Sequence, residues 1–428
     1  MKNTTILMCL LVGIGIRLTA QTHKELSEEF VQHLAAGQYE DAAKMFDPTI
    51  AAVNKEVLAT GWQQIESAFG KYESYYLPAN AAADANPVVV GVRFKNATKG
   101  FACNFNDKKE LVGFLLAPAP KENTEEENFI KTPEGFREEQ LSIPVKGGHI
   151  AGTLLVPTME KAGSMPIAMI IAGSGPTDRN GNSLQTGIAT NSYQYLAAFL
   201  ATQKIASFRY DKRMVGASND FSMAEEKDLR FEDYVQDAVA ISHWLEEKYP
   251  KSKMYIMGHS EGSLIGMLAA QKVKPAAFVS LCGAGENIAN VLKRQMPDTN
   301  AARVIDDIKA GKQVDDVPAN LQLVFRASVQ PYLRSWMQYD PANELGKLKM
   351  PILIVGGSTD IQVPVGDAEQ LKEASPNSQL LVVPGMNHVL KNAPAEQAAN
   401  IATYSQPGIP LSQGLEQGLR EFFKTLER

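Results

Sequence analysis

Four apolar runs after residue 165, "PIAMIIAGSG", "KMYIMGHS", "AAFVSLCGAG" and "PILIVGGSTD", each reach glycine near their ends. The first is apolar without alternation, as a strand buried on both faces of a parallel sheet must be. Between and around these runs lie helical patterns, among them "SYQYLAAFLATQ", "FEDYVQDAVAISHWLEEKYP", "SLIGMLAAQKV" and a closing "GLEQGLREFFKTL". A hairpin "LSIPVKGGHIAGTLLVP" turning on Gly147-Gly148 opens the region, and the strands "IASFRYD" and "QLLVVPGMNH" complete it. Strands alternating with helices predict an α/β domain over residues 137–428, built on a doubly wound, mostly parallel sheet. After Gly285 about sixty mostly helical, amphipathic residues interrupt the alternation, predicting a helical cap over 286–345.

The 428 residues leave room for a further domain, and the 44% hydrophobic, 21% charged composition suits globular units with a sizeable core. Residues 21–118 carry helical spacing first, in "ELSEEFVQHLAAG", "QYEDAAKMF" and "VLATGWQQIESAFG". Short strands follow, with turn signals at residues 95–100 and at Asn106-Asp107. This predicts a small α+β domain, and the pattern resembles the cone-shaped fold of nuclear transport factor and ketosteroid isomerase relatives. No acid, base or metal cluster stands out in it, so it reads as an accessory or dimerisation module, and a homodimer through this domain is an expectation. The polar, Pro- and Glu-rich stretch 119–136 reads as a linker.

Residues 1–20 have the layout of a secretory signal peptide: Lys2, a short apolar run from Ile6, and small Ala20 before Gln21. The expected product is periplasmic or secreted, with no integral membrane segment in the mature chain. Cys103 and Cys282 fall in apolar strand-like runs of different domains and are expected as buried free thiols. A net charge of -6 gives no basic footprint for nucleic acid.

The run from Met254 ends in Gly258-His259-Ser260-Glu261-Gly262. A strand passing at once into a helix forces a tight bend at the serine, and close neighbours must then be glycine. Such a bend projects Oγ above the sheet and sets it at a helix N-terminus, which favours negative charge. A serine hydroxyl needs a base, itself oriented by a third group. Of the six histidines, His23 and His33 lie in the front domain and His149 in the hairpin. His243 reads as a half-buried packing residue in mid-helix, and His259 points away from the serine. His388 follows a strand in a loop, where functional groups of open α/β sheets gather. Asp360 ends the strand after the cap, while Asp367 competes from the next helix, where its alternative role is an exposed N-terminal charge. The glycine-dense loop "AGSGPTDRNGN" and the Glu261 amide are candidates to hold an oxyanion, with Gly173 or Ser174 as the donor from the loop.

The stretches "GSGPTDRNG", "FRYDKR", "GHSEGS", "VQPYLRSWMQYDPA", "GGSTDIQVP" and "PGMNH" make residues 137–428 resemble an α/β-hydrolase, specifically exported bacterial serine esterases carrying a small front domain. The resemblance implies Ser260 as nucleophile, His388 as base and Asp360 as its orienting acid. It implies that Asp178, Arg179, Asp211 and Arg213 hold loops. Such proteins continue with glycine after "YDKR", whereas Met214-Val215 precede Gly216 here. The expected activity is hydrolysis of a small-molecule ester with a small or medium acyl group, without metal or organic cofactor. The alternatives are a serine peptidase or acyltransferase of the same fold, or a catalytically silent binding protein. Phe325, Tyr332, Trp336, Met337 and Tyr339 of the cap are candidates to wall the pocket, with packing of the cap as their alternative role.

Overall fold

The computed structural model describes residues 21–50, 53–78, 85–120, 130–158, 165–183, 186–222, 225–318 and 321–427. The expected signal peptide lies outside them. The chain divides into two compact units, Met1–Glu127 and Asn128–Arg428, with the boundary inside the stretch expected to be a linker.

In the first unit the helices His23–Ala35, Tyr39–Lys44 and Lys55–Phe69 precede four strands: β1 (Tyr72–Tyr76), β2 (Val88–Phe94), β3 (Ala97–Phe105) and β4 (Leu111–Pro118). The first helix begins at a capping box, Thr22 and Glu25 each satisfying the other's backbone N–H. The strands pair antiparallel in the order β1-β2-β3-β4. The turn between β2 and β3 is tighter than residues 95–100 suggest. Phe94 pairs with Ala97, so Thr98, Lys99 and Gly100 are already ladder residues. Phe30, Trp62, Phe94 and Phe101 fill the core between helices and sheet.

The second unit holds strands β5 (Phe136–Val145), β6 (Gly148–Pro157), β7 (Ile167–Ile171), β8 (Ala206–Tyr210), β9 (Met254–His259), β10 (Ala277–Leu281), β11 (Ile352–Gly357) and β12 (Gln379–Val383). They form one sheet in the order β12-β11-β10-β9-β7-β8-β6-β5. β5 and β6 are antiparallel and the strands from β7 to β12 run parallel. Every residue of β7 through β11 is buried, and β7, β9 and β11 are accordingly apolar without alternation, whereas β8 carries buried Ser207 and Arg209. Helices Phe231–Lys248, Glu261–Val273 and Val365–Ala374 pack one face. Helices Ser192–Thr202 and Gln413–Leu426 pack the other.

Between β10 and β11 the cap helices Ile288–Gln295, Thr299–Lys309, Gln322–Phe325 and Gln330–Trp336 enclose a core of their own around Ile305, Phe325 and Leu333, while the last, Pro341–Gly346, packs Leu345 into the core of the sheet domain. Arg294 ties the first of them to the sheet domain through Asp367, 2.8 Å away. Among the described residues no helix is long and apolar enough to cross a membrane.

Candidate active site

Ser260 is the single residue between β9 and the helix Glu261–Val273, and its backbone sits at φ 54° and ψ -120°. For a residue with a Cβ this conformation costs on the order of 1–3 kcal/mol, so the surroundings must enforce it. They do so through two glycines. A Cβ on Gly258 would stand 2.1 Å from the Gly262 carbonyl oxygen, and one on Gly262 2.4 Å from the Ile171 carbonyl oxygen of β7. Both obstacles are backbone, so helix and sheet can approach this closely only with glycine at both positions. The Ser260 N–H donates to Leu281 O of β10 at 2.9 Å, which pins the bend to the neighbouring strand.

His388 lies in the loop beyond β12 and Asp360 in the loop beyond β11, both at the end of the sheet that carries Ser260. His388 Nδ1 donates to Asp360 Oδ2 at 2.8 Å, leaving Nε2 as the ring's basic nitrogen. Asp360 Oδ1 accepts the N–H groups of Gln362 (2.8 Å) and Val363 (2.9 Å). Burial pushes the Asp360 carboxyl up. The His388 charge and the hydrogen bonds from His388, Val363 and Gln362 outweigh it and hold the group below its ordinary value. Asp367 is elsewhere engaged, and it is buried rather than the exposed helix charge expected. It accepts the Gly285 N–H at 2.9 Å and pairs with Arg294. His243 is exposed rather than half-buried, and His149 pairs with Asp220.

The glycine-dense loop after β7 comes beside the serine: a Cβ on Gly173 would lie 3.3 Å from Ser260 Cβ. The two donors proposed from this loop are not equivalent. The Gly173 N–H is spent on the Tyr193 hydroxyl at 3.0 Å, deep in the protein, so Gly173 is corrected as an oxyanion donor. The Ser174 and Glu261 N–H groups have no acceptor among the described residues. Lys212 Nζ joins the two segments, donating to Gly173 O at 3.1 Å and to Glu261 Oε1 at 3.0 Å.

His259 forms a second bridge. Tyr193, already accepting from Gly173, donates its O–H to His259 Nδ1 at 2.8 Å, and His259 Nε2–H donates to His388 O at 2.7 Å. Burial and the neighbouring His388 push the His259 ring down to about 3, so it stays neutral. Among the described residues, His259, Cys282 and His388 form a three-residue group that could offer metal ligands, with donor atoms within 4.8 Å of one another. Both His259 nitrogens and His388 Nδ1 are committed to hydrogen bonds, and burial holds the Cys282 thiol well above its ordinary value, so the donors do not fit a metal. Cys103 and Cys282 are both free and buried, as the sequence suggested.

A family model described as serine aminopeptidase, S33, matches residues 187–394, a span that holds Ser260, Asp360 and His388. The second unit has the α/β-hydrolase fold. A second model, a domain of unknown function (DUF3887), matches residues 27–114 and so falls within the first unit. The chain is 23% identical over 387 residues to esterase EstD of Thermotoga maritima, covering 86% of this chain and 89% of the relative. Similar solved structures include Est1E of Butyrivibrio proteoclasticus with bound ferulic acid (18% identity, TM-score 0.46, 67% of this chain and 99% of that one). Another is the Pyrococcus furiosus esterase Pf2001 (17% identity, TM-score 0.45, 68% of this chain and 91% of that one).

Within the α/β-hydrolase the cap residues proposed as a pocket wall have other work. Phe325 and Met337 are sealed in the cap's own core and do not face a pocket. Trp336 stacks flat on Phe231 with ring centroids 5.5 Å apart, and Tyr332 and Tyr339 lean on the same ring. The Tyr339 hydroxyl donates to Glu232 at 2.8 Å. Packing of the cap onto the sheet, the alternative role, is what these contacts perform. The residues implied to hold loops do so as ion pairs, half-buried Arg179 with buried Asp211 and buried Arg213 with Asp237, each at 2.7 Å. Asp178 accepts the N–H groups of Asn180 and Asn182. Sequence reasoning missed Tyr193, Lys212 and the bridging role of His259. The signal for Lys212 was its place in "FRYDKR", a lysine two residues past an all-buried strand.

Proposed function

We propose that the protein is a serine carboxylic-ester hydrolase working through an acyl-enzyme. Ser260 Oγ attacks the ester carbonyl while His388 Nε2 takes its proton, and Asp360 stabilises the imidazolium that results. The carbonyl oxygen, now an oxyanion, is held by the N–H groups of Glu261 and Ser174. Collapse breaks the ester C–O bond, and His388 returns the proton to the departing alcohol. Water, deprotonated by His388, attacks the acyl carbon, and the second collapse releases the acid and restores Ser260.

The observation that carries this reading is the buried His388–Asp360 hydrogen bond at the same end of the sheet as the strained serine. The test is hydrolysis of p-nitrophenyl acetate, butyrate and octanoate by wild type and Ser260→Ala. A nucleophile in the triad is worth roughly 10⁶-fold in kcat in subtilisin, so turnover should collapse in the variant. Equal rates in the two proteins would overturn the reading. The matching family's description favours an aminopeptidase as the second reading, because the same groups can cleave an amide. Aminoacyl p-nitroanilides assayed beside the esters separate the two. We also propose export after cleavage near Ala20, which N-terminal sequencing of the protein recovered outside the cytoplasm would test.

A further inference from the structure

We propose that Lys212 is a positioning residue that sets both donors of the oxyanion hole at once; this rests on Ser260 being the nucleophile. Lys212 lies two residues past β8 and is 3% exposed, and Glu261, its partner, is 4% exposed. Burying such a pair is seldom a route to stability, because desolvating two ions offsets most of their attraction. What distinguishes this pair is what its members are attached to.

Glu261 supplies the first oxyanion donor from its backbone, and its carboxylate is held by Lys212 Nζ at 3.0 Å. The second donor, the Ser174 N–H, belongs to the same peptide group as the Gly173 carbonyl, which accepts from Lys212 Nζ at 3.1 Å. In a trans peptide the C=O and N–H are coplanar and point in opposite directions. Holding the carbonyl toward Lys212 therefore turns the Ser174 N–H away from it and prevents a flip of this peptide. A cation on the carbonyl also polarises the peptide and strengthens its N–H as a donor.

Three further contacts fix the ammonium and the loop. Tyr234 presents its ring face to Nζ at 4.2 Å. The Lys212 N–H reaches Thr177 O, and the Thr177 hydroxyl donates to Ser174 O at 3.1 Å. One side chain thus couples the loop after β7 to the first residue of the helix behind the serine. A neutral, unbranched side chain one atom shorter, such as methionine, would fill most of the space and release both couplings.

The test compares wild type, Lys212→Met and the double variant Lys212→Met/Glu261→Met on p-nitrophenyl butyrate. Active sites are counted by stoichiometric labelling with a fluorophosphonate, and folding is followed by thermal melting. The double variant leaves no orphaned buried charge, so it keeps the comparison possible if the single variant does not fold. Removing one oxyanion donor outright costs roughly 10²–10³-fold in kcat in subtilisin, and misorienting one should cost about 10–10²-fold. The expected result is that loss in kcat per labelled site, with KM within about threefold of wild type. Affinity for a trifluoromethyl ketone analogue of the tetrahedral intermediate should fall in parallel. A purely structural role would reduce the number of labelled sites or the melting temperature and leave kcat per site unchanged, and that outcome overturns the proposal. If wild type itself were not labelled at Ser260, the nucleophile assignment would fail and this proposal with it. A labelled wild type with unimpaired Lys212 variants would sink the positioning role alone.

Discussion

His388 Nδ1 and Asp360 Oδ2 stand 2.8 Å apart with side chains 6% and 0% exposed, so the hydrogen bond is shielded from competing water. Asp360 selects the tautomer that leaves Nε2 as acceptor. Asp360→Asn keeps the shape and can present an N–H instead, which favours the wrong tautomer. The expected loss is roughly 10⁴-fold in kcat, as for the equivalent change in a chymotrypsin-type triad, measured on p-nitrophenyl esters.

The same carboxylate has a signature in acid. Its folded-state pKa lies below the ordinary 3.8, so its stabilisation is complete above that value and is lost as the pH falls through the folded pKa. Melting temperatures of wild type should therefore drop more steeply than those of Asp360→Asn below about pH 4. Parallel curves would show that the pair adds no pH-dependent stability.

Two glycine-to-alanine changes should diverge in sign. Gly262→Ala sets a methyl 2.4 Å from the Ile171 carbonyl oxygen, where neither strand nor helix can yield, and should cost several kcal/mol or abolish folding. Gly366, inside the helix Val365–Ala374, has nothing within 4 Å of its Cβ position, so Gly366→Ala should stabilise by about 0.5–1 kcal/mol. Urea unfolding of both variants checks the pair.

Met214 directly follows "YDKR", and its φ is 63°, in the region that favours glycine. The side chain is 51% exposed and contributes little packing. A left-handed residue with a Cβ costs about 1–2 kcal/mol, partly offset because glycine frees the unfolded chain. Met214→Gly should stabilise by roughly 0.5–1 kcal/mol, seen as a higher melting temperature with the activity retained.

Lys391 is fully buried over the Tyr195 ring, 4.0 Å from its centroid, and donates to Ile409 O. Burial pushes its ammonium down from 10.5 to about 7. Between these values the unfolded chain binds a proton that the folded chain does not, so stability rises with pH across that window, by a few kcal/mol at the order-of-magnitude level. Lys391→Met should flatten the rise in ΔG of unfolding between pH 7 and 10. An unchanged slope would show that the lysine stays charged in the fold.

The second unit was legible in the sequence because most of its buried parallel strands, β7, β9 and β11 among them, are apolar on both faces, and because the clash geometry at Ser260 demands Gly258 and Gly262 as its neighbours. Chain order and strand ends likewise singled out Asp360 and His388. The choice of Ser174 over Gly173 was not legible. It depends on Tyr193, twenty residues further on, whose hydroxyl oxygen accepts the N–H of Gly173 and not that of Ser174. Asp367 reads from the sequence as a free helix charge and becomes a buried anchor only when the cap brings Arg294 to it. Phe325 and Met337 have the right chemistry for a pocket wall, but amphipathic spacing shows that a face is apolar and not what covers it. Lys212 meets Glu261 and Gly173 only because β8, the loop after β7 and the helix after β9 converge at one end of the sheet. Local sterics and periodicity are written in neighbouring residues; which polar group satisfies which depends on contacts distant in sequence, and only the tertiary structure decided those.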